Sequence, residues 1–353
     1  MPDPGSKEFL WHAAPTFPRL EVMQNGKVRI AVLDDWQGVA KQSADWSALQ
    51  QRADIAFFED PFAGQDDLVK AVATFDIIVA MRERTKFPKE LIDRLPKLRM
   101  IALTGGRTWT MDFEVLNARG IPVCHTGGER SGAATAEIAL GLLLSAARFI
   151  NRGDASLRAG GFQRGVPSGE VLDGKTLGVI GLGKIGTRMA RYGAALGMQV
   201  TAWSANLTEE KARAAGARPV DKATLLSQSD AISLHLVLSD RTRGILGARD
   251  LANMKPGAIL INTSRGPLVD EGALMERLKT GKLIAGLDVF AQEPLPTDHP
   301  LRTLPNTVLT PHLGYCAREV YAQFYRESIE NVLAFLGGVP TRVLNPEALE
   351  KAR

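Results

Sequence analysis

The sequence is poor in cysteine, in long apolar runs and in excess charge of either sign, and each shortage excludes a class of protein. Only Cys124 and Cys316 occur in 353 residues, and neither lies in a C-x-x-C or metal-type cluster. This excludes a secreted disulfide scaffold and predicts no metal site. No apolar run reaches the roughly 18 residues that span a bilayer. We therefore expect a protein of the reducing cytoplasm without a membrane partner.

Charge is nearly balanced along the chain. Lys and Arg number 43 against 39 Asp and Glu, and no block of five or six like charges occurs. The pattern indicates an ordinary mixed surface and no nucleic-acid partner. Residues 1–27 mix Pro, charge and scattered aromatics without the continuous apolar core of a secretion signal, so we interpret them as a loose extension outside the fold.

Short apolar runs alternate with helix-like stretches from Val28 onward, over a length that suits two domains. One set of predicted buried strands runs from Val28–Leu33 to Ile121–Val123, and a second set runs from Leu177–Ile180 to Leu283–Val289. Strands that alternate with helices are typical of a parallel sheet covered on both faces. The predicted fold class is α/β, with two doubly wound parallel-sheet domains that are Rossmann- or flavodoxin-like.

A long apolar segment, Ala133–Ile150, separates the two sets of strands. A helix that is apolar nearly all round must be buried against something. The sequence leaves two interpretations open, a packing helix inside one domain and a subunit interface. A further helix is predicted at Ala317–Leu336, near the end of the chain.

A glycine-rich turn follows the first strand of the second set. The motif G-x-G-x-x-G alone is a weak signal, but here it lies between a hydrophobic strand and a predicted helix at Thr187–Leu196, which makes it specific for a dinucleotide site. Glycine permits a tight turn, a close approach of backbone to pyrophosphate and close packing of helix on strand. The residues of the predicted cradle are Gly181, Gly183, Lys184, Ile185 and Gly186.

The end of the next strand bears on the choice of cofactor. A carboxylate there binds the ribose 2′-hydroxyl of NAD and repels the 2′-phosphate of NADP. The strand Gln199–Trp203 is instead followed by Ser204, with no Arg adjacent to it. NAD and NADP therefore both stay open, with NAD slightly favoured.

Candidate acid–base and substrate-binding residues follow the later strands. His312 lies in a loop after a short strand, and the ordinary pKa of histidine suits proton exchange near neutrality. Arg265 lies just past an apolar strand, where its planar guanidinium could bind a carboxylate. Glu293 could pair with a histidine. Taken singly, each residue could equally have a structural role.

Four segments in order, GLGKIG, INTSRGPLVDEGAL, GLDVFAQEPL and LTPHLG, resemble the D-isomer-specific 2-hydroxyacid dehydrogenase family. The resemblance extends from about Val28 to Leu336. It implies hydride transfer between NAD(P)H and a small 2-keto or D-2-hydroxy acid such as phosphoglycerate, glyoxylate or hydroxypyruvate. In that family the residue at Arg265 binds the substrate carboxylate and carbonyl, and the residue at Glu293 holds the one at His312, which exchanges the proton.

The resemblance implies further site residues. Asp288 would contact the nicotinamide carboxamide, and Thr263 and His235 would line the cofactor cleft. The loop that contains Gly105, Gly106 and Arg107 would bind the substrate carboxylate through its backbone amides. Arg82 and Arg84 would contact an anionic tail of the substrate.

The resemblance also implies the domain organisation. Residues 28–126, completed by 313–345, would form the substrate-binding domain, and 127–312 would form the NAD(P)-binding domain. The cleft between them would close on the substrate, and the helix from Ala133 would pack a homodimer.

The sequence departs from the family pattern at three points. Ser204 replaces the usual acid, Val237 stands where Pro is common, and the chain stops at residue 353, short of a C-terminal regulatory domain.

Two rival functions stay open. A formate dehydrogenase-like protein would usually carry Gln in place of Glu293. A non-catalytic, dinucleotide-sensing corepressor-like protein could keep all three site residues, and turnover would distinguish it from an enzyme.

Overall fold

The computed structural model describes residues 27–106, 108 and 110–351. The predicted extension, apart from Lys27, and the predicted substrate residue Arg107 lie outside the described residues.

Strands and helices alternate along the described chain. The strands are β1 (Val28–Val32), β2 (Ala53–Phe57), β3 (Ile77–Ala80), β4 (Met100–Leu103), β5 (Val123–His125), β6 (Thr176–Ile180), β7 (Gln199–Trp203), β8 (Arg218–Pro219), β9 (Ala231–Leu234), β10 (Ala258–Asn262), β11 (Leu283–Leu287) and β12 (Thr307–Leu309). The helices are α1 (Ala40–Ser43), α2 (Ser47–Gln50), α3 (Gln65–Val72), α4 (Lys89–Ile92), α5 (Phe113–Ala118), α6 (Ser131–Arg148), α7 (Ile150–Arg158), α8 (Lys184–Ala195), α9 (Glu209–Ala214), α10 (Lys222–Gln228), α11 (Ala248–Ala252), α12 (Glu271–Lys279), α13 (Arg318–Leu336) and α14 (Glu347–Lys351).

The chain divides into two compact units, and the first comprises residues 27–128 and 318–351. Its sheet has the order β2-β1-β3-β4-β5, and every paired strand is parallel. This is the flavodoxin-like order, in which ligands bind beyond the carboxyl ends of β1 and β3. Strands β3 and β4 are fully buried, because helices cover both faces of the sheet.

The C-terminal segment completes the first unit. Helix α13 packs on α1, β4 and β5, and the Asn331 side chain donates to the His125 carbonyl at 2.8 Å. The Asn345 side chain accepts the Val123 N–H at 2.7 Å. These bonds fasten the end of the chain to β5. The division between the two compact units falls after residue 317, and the domain bounds that the resemblance implies stay a prediction.

The second unit comprises residues 129–317 and contains a seven-stranded parallel sheet of order β12-β11-β10-β9-β6-β7-β8. The strand order reverses between β6 and β9, which is the topological switch point of a dinucleotide-binding sheet. Two hydrophobic clusters cover the two faces of this sheet. The predicted α/β class with two doubly wound parallel sheets is thereby confirmed.

The predicted helix Ala133–Ile150 is two helices in the structure. Helix α6 ends at Arg148 because Phe149 adopts a left-handed backbone with φ of 51°, and α7 starts again at an angle of 70°. Helix α6 packs on α8, β10, β11 and β12 through side chains such as Leu142 and Leu143, which favours the packing interpretation. Among the described residues, no single helix has the length and apolarity to cross a bilayer.

Candidate active site

The glycine turn joins β6 to α8 at the carboxyl edge of the second sheet. Gly181 has φ of 93°, a conformation that favours glycine, and a Cβ on it would collide with the His235 carbonyl. A Cβ on Gly186 would overlap the Gly181 carbonyl oxygen, so helix and turn approach as closely as glycine allows. A Cβ on Gly183, in contrast, would lie within 4 Å of no atom in the part of the chain that the structure describes. Open space over Gly183 is what a cradle for pyrophosphate requires.

The start of α8 differs from its prediction in a way that suits an anion. The helix begins at Lys184, inside the motif, with Gly183 as its N-cap residue and no acidic side chain in its first turn. Backbone N–H groups in the first turn of a helix lack intrahelical acceptors, and the helix dipole adds positive potential there. The start of α8 therefore offers backbone hydrogen-bond donors of the kind that bind a phosphate, and its first residue, Lys184, carries a positive charge.

Two buried polar atoms without partners follow β9 and β10, at the same carboxyl edge of the sheet as the turn. Among the described residues, the Thr263 hydroxyl after β10 has no hydrogen-bond partner, nor does Nδ1 of His235 after β9. Nε2 of His235 is 2.9 Å from the Ser233 hydroxyl, and burial lowers the pKa of His235 to about 3, so its ring is neutral. Buried polar atoms usually have partners, so these two fit a polar ligand such as a dinucleotide.

Ser204 follows β7, where a carboxylate would select NAD. The side chain of the preceding Trp203 has the Lys222 ammonium 6.0 Å from its ring centroid. Lys222 also pairs with Asp250 at 2.9 Å and donates to the Ile245 carbonyl at 2.8 Å. The end of β7 thus carries the Ser204 hydroxyl. The nearby cation, Lys222, is already paired with the Asp250 carboxylate.

His312 and Glu293 are in direct contact. Nδ1 of His312 is 2.6 Å from Oε2 of Glu293, and the two side chains are 20% and 26% exposed. The other oxygen of Glu293 accepts the Phe290 N–H at 2.9 Å. Burial alone would raise the pKa of Glu293, but the hydrogen bond and charge of His312, the Phe290 N–H and the Arg265 charge together hold it below its ordinary value. The carboxylate is ionised and faces an imidazole.

Arg265 lies between β10 and a short 3₁₀ turn at Gly266–Leu268, with Nη1 donating to the Ser264 carbonyl at 2.6 Å. The chain there passes against the loop that carries Glu293, because a Cβ on Gly266 would collide with the backbone of Phe290. Ser264 fastens the same turn to β9 by donating to the Leu234 carbonyl at 2.8 Å. The structure therefore gathers the three predicted catalytic residues at one edge of one sheet.

Asp288 follows β11 and is completely buried. Its carboxylate accepts the Thr310 hydroxyl at 2.6 Å and the backbone N–H groups of Leu313 at 2.7 Å and Gly314 at 2.8 Å. Burial raises the pKa of Asp288, and these hydrogen bonds offset only part of the rise. The sequence did not predict these contacts, because residues 22 to 26 positions apart leave no local pattern.

The first-unit residues that the resemblance implies for substrate binding make different contacts in the structure. Arg84 donates to the Asp34 carbonyl at 2.6 Å and stacks on Trp36 with its guanidinium carbon 4.2 Å from the ring centroid. Arg82 lies over Gly105, where a Cβ would collide with its guanidinium. The Gly105 N–H donates to the Thr126 hydroxyl at 2.8 Å, whereas Gly106 is exposed. That these residues bind the substrate stays a prediction.

Comparison with known proteins agrees with this geometry. A family model described as D-isomer specific 2-hydroxyacid dehydrogenase, NAD binding domain, matches residues 140–314. The chain is similar to a glyoxylate reductase from Thermococcus litoralis, with 38% identity over 306 residues that cover 84% of this chain and 92% of the relative. It is also similar to a D-3-phosphoglycerate dehydrogenase from Archaeoglobus fulgidus, with 37% identity over 279 residues, 79% of this chain. The chain spans about half of that relative, 53% of its length.

A solved structure gives the same result at the level of the fold. A phosphoglycerate oxidoreductase from Vibrio cholerae superimposes with a TM-score of 0.82 and 36% identity, over 87% of this chain and 98% of that one. Identity above a third over nearly the whole length of a relative establishes common descent, and the motifs that carry the resemblance lie at the site just described. The chain belongs to the D-isomer-specific 2-hydroxyacid dehydrogenase family.

Proposed function

We propose that this chain catalyses reversible hydride transfer between a nicotinamide dinucleotide and a small 2-keto acid, giving the D-2-hydroxy acid. The observation that carries the proposal is the 2.6 Å contact between His312 and Glu293, in the same unit as Arg265 and the glycine turn. A histidine oriented by a carboxylate is the usual form of a general acid–base group.

His312 is proposed as the proton donor and acceptor. An ionised carboxylate only accepts hydrogen bonds, so the Nδ1 atom that faces Glu293 must carry a proton. Nε2 is then the atom that exchanges a proton with substrate. In the reducing direction a bound nicotinamide dinucleotide would supply the hydride that the carbonyl carbon accepts. The Nε2 proton passes to the carbonyl oxygen, and a neutral imidazole is left to regain a proton from solvent.

Arg265 is proposed to bind the substrate carboxylate. A guanidinium presents two parallel N–H groups that match the two oxygens of a carboxylate. Besides holding the substrate, its charge would polarise the carbonyl towards hydride attack. The backbone approach of Gly266 to Phe290 keeps the Arg265 turn close to the loop that carries Glu293.

The glycine turn, Thr263 and His235 are proposed to hold the dinucleotide. Lys184 and Ile185 begin the helix whose N–H groups would bind pyrophosphate. The hydroxyl of Ser204 neither repels a 2′-phosphate nor binds the ribose as firmly as a carboxylate would. We propose that both NADH and NADPH are used, with NADH slightly preferred.

A panel of 2-keto acids tested with NADH and NADPH in parallel decides the proposal. Glyoxylate, hydroxypyruvate and phosphohydroxypyruvate should be reduced, and His312→Ala should lower kcat/KM by about 10²-fold or more. Turnover by His312→Ala at the wild-type rate would reject the assignment. Tight cofactor binding without any turnover across the panel would favour the corepressor-like alternative. Oxidation of formate would favour the formate dehydrogenase-like alternative. The Glu293 carboxylate disfavours that alternative, because such a protein would usually carry Gln at this position.

We also propose that the chain pairs with a second copy of itself, through α7 and the segment that follows it. Helix α7 buries none of its residues, and Ile150, Leu157, Phe162 and Val171 are between 56% and 74% exposed. A contiguous patch of exposed apolar side chains marks an association surface, and we propose that these four side chains form one. Light scattering should give a dimer for wild type and a monomer for Leu157→Glu with Phe162→Glu. The matched control is Val237→Glu, another exposed apolar position, which should stay dimeric.

A further inference from the structure

Two neighbouring strands of the first sheet end in strained backbone. Asp34, after β1, has φ of 59°, and Arg82, after β3, has φ of 54°, in the left-handed region that residues with a side chain seldom adopt. Strands β1 and β3 flank the switch point of this sheet, the place where ligands bind in open α/β sheets. Strained residues cluster at ligand sites. The carboxyl edge of the first sheet is therefore the part of the first unit that suits the tail of a substrate.

The guanidinium of Arg84 is committed to the protein at this edge. It donates to the Asp34 carbonyl at 2.6 Å and stacks on the indole of Trp36, 4.2 Å from the ring centroid. Burial raises the pKa of the Asp34 and Asp35 carboxyls, and the charge of Arg84 offsets part of that rise. An anion that drew Arg84 away would leave two buried carboxyls without this compensation.

Acidic residues outnumber basic ones along the same edge. Five acids and three bases follow β1, β2 and β3 within residues 33–39, 58–64 and 81–88: Asp34, Asp35, Glu59, Asp60 and Glu83 against Arg82, Arg84 and Lys86. Nε of Arg82 is 3.8 Å from a Glu83 oxygen, with the two side chains 24% and 14% exposed. Lys41 of α1 is likewise 3.8 Å from Glu59. A phosphate dianion at the described part of this edge would meet more acids than cations.

One hydrogen-bond donor at this edge is not used by the protein. Nε1 of Trp36 is buried and has no hydrogen-bond partner among the described residues. Buried polar atoms usually have partners, and an indole N–H can only donate. The group that suits it is an accepting oxygen without charge, such as a hydroxyl, because the neighbouring acids would repel an anion.

We propose that the first unit selects a 2-keto acid with an uncharged, hydroxyl-bearing tail, whose oxygen accepts a hydrogen bond from Nε1 of Trp36. Hydroxypyruvate has such a tail, glyoxylate has none, and phosphohydroxypyruvate carries a phosphate in its place. The inference rests on the proposed function, because it names the substrate class of the same reaction. An anionic tail, which the family resemblance allows, would have to draw Arg82 and Arg84 from acids of the chain.

Steady-state kinetics with the three keto acids test the selection. We expect kcat/KM for hydroxypyruvate to exceed that for phosphohydroxypyruvate about tenfold or more. Trp36→Phe keeps an aromatic ring beside Arg84 but removes the N–H. It should lower the ratio of kcat/KM for hydroxypyruvate to that for glyoxylate about three- to tenfold, the scale of one neutral hydrogen bond. An unchanged ratio in Trp36→Phe, or a wild-type preference for phosphohydroxypyruvate, would overturn the proposal.

Glu83→Gln tests the charge argument by itself. Without the carboxylate, the charge of Arg82 is no longer matched by Glu83, so the ratio of kcat/KM for phosphohydroxypyruvate to that for hydroxypyruvate should rise about fivefold or more. Asp54→Asn is the matched control. Asp54 also lies near a cation of the first unit, with an oxygen 3.9 Å from Nζ of Lys27, but at the amino end of β2. The ratio should not change in Asp54→Asn, and an equal rise in both variants would contradict a local effect at the carboxyl edge.

A binding measurement separates this inference from the proposed function. D-glycerate and 3-phosphoglycerate are the hydroxy acids that correspond to the last two keto acids, and their binding to the protein with NADH needs no turnover. Titration calorimetry should give a Kd for D-glycerate about tenfold or more below that for 3-phosphoglycerate, and Trp36→Phe should narrow the difference. Tighter binding of 3-phosphoglycerate would contradict the selection of an uncharged tail. Absence of turnover with every keto acid, with the preference for D-glycerate retained, would contradict the proposed function alone.

Discussion

Nδ1 of His312 lies 2.6 Å from Oε2 of Glu293, and the second oxygen of that carboxylate accepts the Phe290 N–H at 2.9 Å. Both oxygens of Glu293 are therefore occupied, one by the backbone and one by the ring that it orients. The carboxylate has no freedom to turn away from His312 without losing a bond. The pair is a preformed feature of the second unit.

Replacement of Glu293 by Gln should lower kcat/KM for the 2-keto acid by about 10- to 100-fold. Gln has one accepting oxygen for two donors and no charge to stabilise an imidazolium. The pKa of Glu293 is lowered, so the carboxylate stays ionised as the pH falls below its ordinary value near 4.5, and its contribution to stability is lost only below that. Protonation of Glu293 should thus not limit the wild-type rate at pH 5 and above.

Glu271→Gln is a matched control for the Glu293 variant. Glu271 faces His299, with Nε2 of the imidazole 3.2 Å from Oε1, in a second His–Glu pair of the same unit. His299 also caps the short 3₁₀ turn at Pro300–Arg302. We expect wild-type kcat/KM in Glu271→Gln, and an equal loss in both variants would show that the effect of Glu293 is not specific to the site.

Replacement of Arg265 by Lys should raise KM for the keto acid and lower kcat/KM by about 10²-fold, with the Kd for NADH nearly unchanged. Lysine keeps the charge but lacks the planar pair of N–H groups that matches a carboxylate. Arg302→Lys serves as control, because Arg302 also bonds loop carbonyls, those of Leu295 and Pro296, each at 2.7 Å. Steady-state kinetics on both variants check the expectation, and unchanged kinetics in Arg265→Lys would remove Arg265 from the substrate site.

Much of the fold could be predicted from sequence because parallel strands buried on both faces are uninterrupted apolar runs. Strand β8 was not predicted, since Arg218–Pro219 is two residues long and has no apolar run. The break at Phe149 was not predicted either, because the apolar character of the segment continues across it. Short edge strands and single left-handed residues are determined by tertiary contacts, which a local pattern does not contain.

The candidate site was predicted less completely than the fold. The glycine turn has a local signature, because Gly181 and Gly186 each meet a steric demand and Gly183 leaves the space that a pyrophosphate needs. His312 and Glu293 are 19 residues apart and were paired only through the family resemblance. The bonds of Asp288 to the His312 loop required coordinates, because hydrogen-bond partners distant in sequence show no periodicity.

Alanine at either of two glycines of the turn should weaken cofactor binding, but only one of the two substitutions should also lower stability. In Gly186→Ala the new methyl group overlaps the Gly181 carbonyl, so we expect a lower Tm together with loss of NADH binding. Gly183→Ala meets open space at a φ of −87°, so the Tm should not change. The methyl group would nevertheless obstruct the pyrophosphate and raise the Kd for NADH about tenfold or more.

Gly247→Ala is the control for the Gly183 variant. Gly247 also precedes a helix, α11, with an ordinary φ of −92° and no close neighbour for a Cβ. Differential scanning fluorimetry and NADH titration on the three variants should find normal binding in Gly247→Ala. Normal NADH binding in Gly183→Ala would mean that the turn does not hold the dinucleotide backbone.

The pH dependence of stability should depend on His235. Burial lowers the pKa of His235 to about 3, against about 6.5 in an unfolded chain. Between these values the unfolded state binds a proton that the folded state does not, so stability is complete above pH 6.5 and falls as the pH drops towards 3. The loss amounts to about 2 kcal/mol at pH 5. His235→Gln removes the titrating group, so the variant should lose less stability than wild type between pH 8 and pH 5.

Calorimetry of wild type and His235→Gln at several pH values measures this difference. The two units need not unfold together, so the transition of the second unit is the one to follow. The comparison is of how steeply the Tm of each protein changes with pH. The Tm values themselves are not compared, because the substitution lowers stability by a constant amount at every pH. Parallel curves from pH 8 to pH 5 would mean that His235 takes up a proton in the folded protein. In that case Nδ1 of His235, which has no partner among the described residues, would be open to solvent protons and would not mark a buried position for a polar ligand.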